Sequence, residues 1–307
     1  MPKNSRSVKF TGAFLQAFEK VLNIKFEILG EENIPKDKSI IFTPNHFTRF
    51  ETMVVPYILN KIKGLNYCRS LAYYELFVGK LGDYLRSVQT LSTAEPNRDK
   101  IIINDLIHKR YNWIVYPEGQ MMKEKKIFTT KPNLLRRNIM LKSSGKTGVS
   151  VLAMKAEFEA KTKGEIYICP VTISYRPLHA KRNNLYLMLA RLLRSAKLPK
   201  YIKEELFVES SLLMFSTISI EFGKPICVRD YIQENTKFLK LAPIPEVNKR
   251  QLFINALRYP LTNKLMHQIY IRTPLSFDHF FSFAIFNLIT VGVEKISLEN
   301  LREILFH

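Results

Sequence analysis

Ser39-Ile40-Ile41-Phe42-Thr43-Pro44-Asn45-His46-Phe47-Thr48-Arg49-Phe50-Glu51 is the stretch on which the fold turns. Its first five residues are rich in β-branched and aromatic side chains and almost without polar alternation, the pattern of a strand buried on both faces. Pro44 closes the run, and a helical pattern opens near residue 50. The same change from short apolar run to helical pattern recurs along the chain. Strands are expected at Leu65–Ala72, Trp113–Tyr116, Ile166–Tyr175 and Ile218–Phe222, and helices near 50–63, 75–86, 97–110 and 146–160. In the third of these helices Ile103, Leu106 and Ile107 share one face, while Asp99, Lys100 and Lys109 point elsewhere. Such alternation predicts an α/β fold, with a mostly parallel central sheet flanked by helices and the chemistry at the carboxyl ends of the strands. After about Tyr231 the pattern is wholly helical. The expected organisation is an amphipathic N-terminal helix at 1–25, a central α/β domain at 26–232 and a helical C-terminal extension at 233–307.

The 307 residues include 47 basic and 27 acidic side chains, a net charge of +20. That excess implies an anionic partner: a membrane surface, phosphorylated substrates or nucleic acid. Zinc-finger spacing, an RNA-recognition signature and a regular basic helix are all missing from the sequence, so nucleic acid is not expected. Two basic stretches stand out. Lys123 to Lys146 holds eight basic residues and one acidic residue, and Lys181 to Lys203 holds seven basic residues around the apolar run 185–193. Phe10, Phe14 and Phe18 recur at helical spacing among Lys3, Arg6, Lys9 and Lys20, and Leu185–Leu198 mixes leucines with Arg191, Arg194 and Lys197. Both suit helices lying in the interface of an anionic bilayer; the first reads equally as a core face with a solvated basic side, while for Leu185–Leu198 the membrane reading is favoured. The most apolar stretch, Phe277 to Val293, falls short of the ~20 residues of a bilayer span, so no transmembrane helix is expected. Cys68, Cys169 and Cys227 are far apart, which fits a reducing compartment and leaves no metal-ligand cluster.

Two short segments can carry chemistry. His46, leaving a strand, is placed to act as a general base if Glu51 holds its other ring nitrogen; alone it also reads as a surface or core histidine. Tyr116-Pro117-Glu118-Gly119 follows a strand, and its glycine lets backbone N–H groups approach a phosphate or oxyanion. Alone, Pro-x-Gly is also an ordinary turn.

The order of these segments carries more than each alone. Asn45-His46-x4-Glu51, Glu75-Leu76-Phe77, Tyr116-Pro117-Glu118-Gly119, Gly145-Lys146-Thr147-Gly148, Cys169-Pro170-Val171 and Phe222-Gly223-Lys224-Pro225 follow one another as in the glycerolipid acyltransferases, which this chain resembles over roughly residues 30–230. That family includes glycerol-3-phosphate and 1-acylglycerol-3-phosphate acyltransferases. The resemblance implies that His46 removes a proton from an acceptor hydroxyl as it attacks the thioester of acyl-CoA or acyl-carrier protein. Either donor would be a co-substrate, with no further cofactor. Asn45, Glu118, Gly119 and Lys146 match motif positions, and the resemblance assigns them to substrate binding. Glu51 stands where the family usually has Asp. Gln120-Met121 replace its usual Thr-Arg, and its phosphate-binding arginine aligns with Ser92–Glu95 here. Arg86, Arg98 and Lys123 are the cations positioned to replace the missing ones. The implied setting is the cytoplasmic face of a membrane, with peripheral attachment. The exchanges also fit a catalytically divergent lipid-binding member of the same fold.

Overall fold

The computed structural model describes residues 6–119, 147–160, 165–176, 185, 187, 188, 191, 200–213, 216–237, 246–275 and 277–306. The strands are β1 (Lys25–Leu29), β2 (Ser39–Pro44), β3 (Cys68–Ala72), β4 (Leu91–Ser92), β5 (Asn112–Ile114), β6 (Ile166–Arg176), β7 (Thr217–Phe222) and β8 (Ile226–Cys227). They form one sheet in the order β1-β7-β6-β2-β5-β3-β4, with β8 pairing to β6. From β6 through β2, β5, β3 and β4 every pairing is parallel. β7 runs antiparallel to β6, as does β8, and β1 is parallel to β7. The expected mostly parallel sheet is thus present, with a reversed edge.

β2 is buried at all six positions, because it lies between β6 and β5 and is covered on both faces. Side chains alternate across a strand, and β2 divides its residues accordingly. Ile40 and Phe42 join one core cluster with Leu15 of α1 (Arg6–Leu22) and Val54, Val55, Ile58 and Leu59 of α2 (Glu51–Lys61). Ile41 joins the other with Ile102 and Leu106 of α4 (Arg98–Ile107) and Leu152 and Met154 of α5 (Gly148–Glu159). The remaining helices in chain order are α3 (Gly79–Ser87), α6 (Lys200–Leu213), α7 (Val228–Thr236) and α8 (Glu246–Ile271).

The expected boundary at residue 232 falls inside a compact unit that runs to Arg272. The reason is α8. Its Leu257, Leu261, Leu265, Met266 and Ile269 are buried in the second core cluster, and Ser150 on α5 bonds Thr262 at 2.7 Å. Its last turn reaches the sheet, where the Thr172 hydroxyl of β6 donates to the Ile269 carbonyl at 2.8 Å. Only Thr273–His307 forms a second unit. It contains α9 (Phe277–Thr290) and α10 (Leu298–Phe306), and Phe277, Phe280, Phe283 and Phe286 on α9 are exposed.

A largely buried ion pair joins sheet to helix. Arg69 of β3 meets Asp105 of α4 at 2.9 Å, and its guanidinium lies 5.0 Å from the ring of the fully buried Trp113. Removing one member of a buried pair strands the other charge. Arg69→Ala is therefore expected to cost about 3–5 kcal/mol, read as a lower urea midpoint. An unchanged midpoint would show that Asp105 finds another partner.

Candidate active site

The site begins where β2 ends. The side chain of Asn45 extends the ladder: Nδ2 donates to the Ile173 carbonyl at 3.1 Å, and Oδ1 accepts the Ile173 N–H at 2.6 Å. Its own N–H reaches the Val171 carbonyl at 3.3 Å. At 2% exposure the amide is spent on β6. Asn45 pins the turn that carries His46.

That turn is closed from the other side by Glu51, the first residue of α2, which is 1% exposed. Its Oε2 accepts the Phe47 N–H at 2.7 Å and lies 3.1 Å from His46 Nδ1. Its Oε1 accepts the Tyr175 hydroxyl at 2.9 Å, and Tyr175 also bonds Thr48 at 3.0 Å. Burial, reinforced by Glu51, holds the Tyr175 hydroxyl well above the usual tyrosine range, so it stays a donor. A carboxylate only accepts. The proton of a neutral His46 therefore sits on Nδ1, leaving the Nε2 lone pair to take a proton. The imidazole is 14% exposed, and the Tyr116 ring lies 4.2 Å from it. The buried Tyr116 hydroxyl has no hydrogen-bond partner among the described residues.

A second carboxylate holds the same turn. Glu118, after β5, is 8% exposed, and its Oε2 accepts the backbone N–H of His46 at 2.7 Å. Its Oε1 accepts the Tyr270 hydroxyl of α8 at 2.9 Å. Burial pushes this carboxyl up to about 7, against the two hydrogen bonds, which lower it. Gly119 follows with φ of 69°, and its N–H returns to the Tyr116 carbonyl at 3.1 Å. A side chain there would strain the turn. Both oxygens of Glu118 bind groups of the protein itself, so its place is behind the histidine turn.

Neither Arg86 nor Arg98 bonds His46, Glu51 or Glu118. Arg86, 59% exposed, bonds Asp83 at 3.1 Å and the Phe77 carbonyl at 3.2 Å. Arg98 bonds Asp99 and the Thr93 carbonyl. It lines a cleft of about 840 Å³ with Lys100, Lys155 and Arg250. Lys123 and Lys146, with the rest of that basic stretch, lie outside the described residues. Burial pushes the Cys169 thiol up to about 12, which keeps it protonated. Among the described residues no group of three or more His, Cys, Asp or Glu is arranged to hold a metal ion.

Sequence reasoning missed Thr48, Tyr175 and Tyr270. Tyr270 is 152 residues from its partner Glu118, and no local pattern announces such a pairing.

A family model described as Acyltransferase matches residues 25–174. Those residues are an acyltransferase domain. The match includes His46, Glu51 and Glu118, and ends at Ser174, just before Tyr175 and far short of Tyr270. No curated protein matches the chain. Among solved structures it is similar to the 1-acyl-sn-glycerophosphate (LPA) acyltransferase PlsC from Thermotoga maritima, at 16% identity and a TM-score of 0.38, over 84% of this chain and 78% of that one.

Proposed function

We propose that this acyltransferase moves a fatty acyl group from acyl-CoA or acyl-carrier protein to a hydroxyl of glycerol-3-phosphate or 1-acylglycerol-3-phosphate, with His46 as general base. The observation that carries the reading is the 3.1 Å contact between His46 Nδ1 and the buried Glu51. It supports a histidine whose Nε2 accepts the proton of the acceptor hydroxyl as that oxygen attacks the thioester carbonyl. Collapse of the tetrahedral intermediate forms the ester and breaks the C–S bond. The proton held by His46 then passes to the departing thiolate. Glu51 stabilises the transient imidazolium, and its longer side chain does reach the ring.

The acceptor phosphate needs cations. Arg86, Arg98, Lys123 and Lys146 remain the candidates, and Arg98 has Lys100, Lys155 and Arg250 around the same cleft. Attachment to an anionic membrane, on its cytoplasmic face, is part of the proposal. It is supported by the net charge of +20 and by exposed Phe10, Phe14 and Val21 on α1. Tyr73, Tyr74, Leu76 and Val78, between β3 and α3, are also exposed. Among the described residues no helix is long and apolar enough to cross a membrane.

The test is acyl transfer by purified protein from acyl-CoA and from acyl-carrier protein to a panel of glycerol phosphates, monoacyl phosphates and unphosphorylated glycerols. The acceptors are presented with and without anionic vesicles and the products read by mass spectrometry. Esterified phosphate acceptors, with flotation on anionic vesicles only, are the expected result. Flotation with no ester formed on any acceptor would favour a lipid-binding protein instead.

A further inference from the structure

The helix read from sequence as part of an appendage ends inside the catalytic network. The geometry points to Tyr270 as a positioning residue for acyl transfer: through Glu118 it holds the backbone of His46 in the orientation the base requires. The inference rests on His46 being that base, and adds to it a residue well outside the family-matched segment.

The chain of contacts is short and directional. The Tyr270 hydroxyl donates to Glu118 Oε1 at 2.9 Å, and the His46 N–H donates to Glu118 Oε2 at 2.7 Å. A carboxylate accepting on both oxygens is fixed in rotation, so the position of Tyr270 sets the plane of the group that receives the His46 N–H. Tyr270 is itself anchored one residue away, where the Ile269 carbonyl accepts from Thr172 on β6 at 2.8 Å. Thr172 adjoins Val171 and Ile173, the residues that Asn45 grips. The turn bearing His46 is therefore referenced to β6 twice, directly through Asn45 and indirectly through α8 and Glu118.

Tyr270 also acts on the charge of Glu118. Its hydrogen bond favours the carboxylate against the burial that pushes the group up to about 7. Among the described residues, the other titratable groups around Glu118 are His46, which also favours its charge, and Glu51, which opposes it. Tyr116 and Tyr175 are held protonated by burial. Arg272, further along the chain, is turned to Glu221 at 3.5 Å.

The test is Tyr270→Phe, which keeps the ring and removes only the donor. Expected is a fall of about tenfold in kcat, with KM for both substrates changed by no more than about twofold. The acid limb of the pH–rate profile should move to higher pH, because Glu118 loses a bond that favours its charged form. In a Glu118→Ala background the same substitution should have almost no further effect, since its route to His46 is already cut. Wild-type kcat and an unmoved acid limb in Tyr270→Phe, or fully additive losses in the double variant, would overturn the positioning role. Loss of turnover in His46→Ala beside an unaffected Tyr270→Phe would sink this inference alone. Full turnover in His46→Ala would overturn the base itself, and the relay with it.

Discussion

His46→Ala lowers kcat for acyl transfer by about 10²–10⁴-fold, and the folded protein remains. The neutral acceptor hydroxyl is a weak nucleophile, and on the proposed mechanism its proton goes to the imidazole Nε2, opposite the Glu51 contact. Alanine leaves the backbone turn intact, because Asn45, Glu51 and Glu118 hold it through main-chain groups. Circular dichroism and the unfolding midpoint should therefore stay near wild type while product formation collapses. Turnover within about threefold of wild type would remove His46 from the proton transfer.

Glu51→Gln lowers kcat by about 10²-fold, with KM little changed. The carboxylate serves three donors: the Phe47 N–H, the Tyr175 hydroxyl and His46 Nδ1. An amide offers one acceptor oxygen and a pair of donor hydrogens. It keeps this arrangement only if Tyr175 turns to accept, and it supplies no negative charge beside the imidazolium of the transition state. Glu51→Asp keeps the charge, but one methylene shorter it cannot span all three donors from the start of α2. Intermediate activity is expected there, and Asp at or below the Gln level would show that reach matters more than charge. Gln at wild-type activity would reduce Glu51 to a helix-start residue.

Much of the fold was legible because buried parallel strands and amphipathic helices leave strong periodic signals. The run at 39–44 emerged as the central strand for that reason. β1 did not, because Lys25 and Glu27 interleave with Phe26 and Ile28 on an edge strand with every residue at least partly exposed. β4 and β8 have two residues each, too few for any period. The packing of α8 into the main unit was not legible, because a stripe such as Leu257, Leu261 and Leu265 announces an apolar face without saying what it meets. His46, Glu51 and Glu118 were legible from their places after strands and from motif order. The hydrogen bonds they make were less so. Asn45 and Glu118 serve the backbone of the turn, and the tyrosines that complete it look like any other tyrosines until the sheet brings them together.

The span of these contacts also bears on when the enzyme is born. Asn45 meets Ile173 across 128 residues, and Glu118 meets Tyr270 across 152. Contacts this distant form late, after the intervening loops have paid their closure entropy. A ribosome-bound chain still lacking α8 therefore has its histidine and both carboxylates in place in sequence, yet with the Glu118 clamp unfinished. On the proposed mechanism, full competence arrives with α8, the last described helix of the main unit, so nascent chains lacking it are expected to transfer acyl groups below full rate.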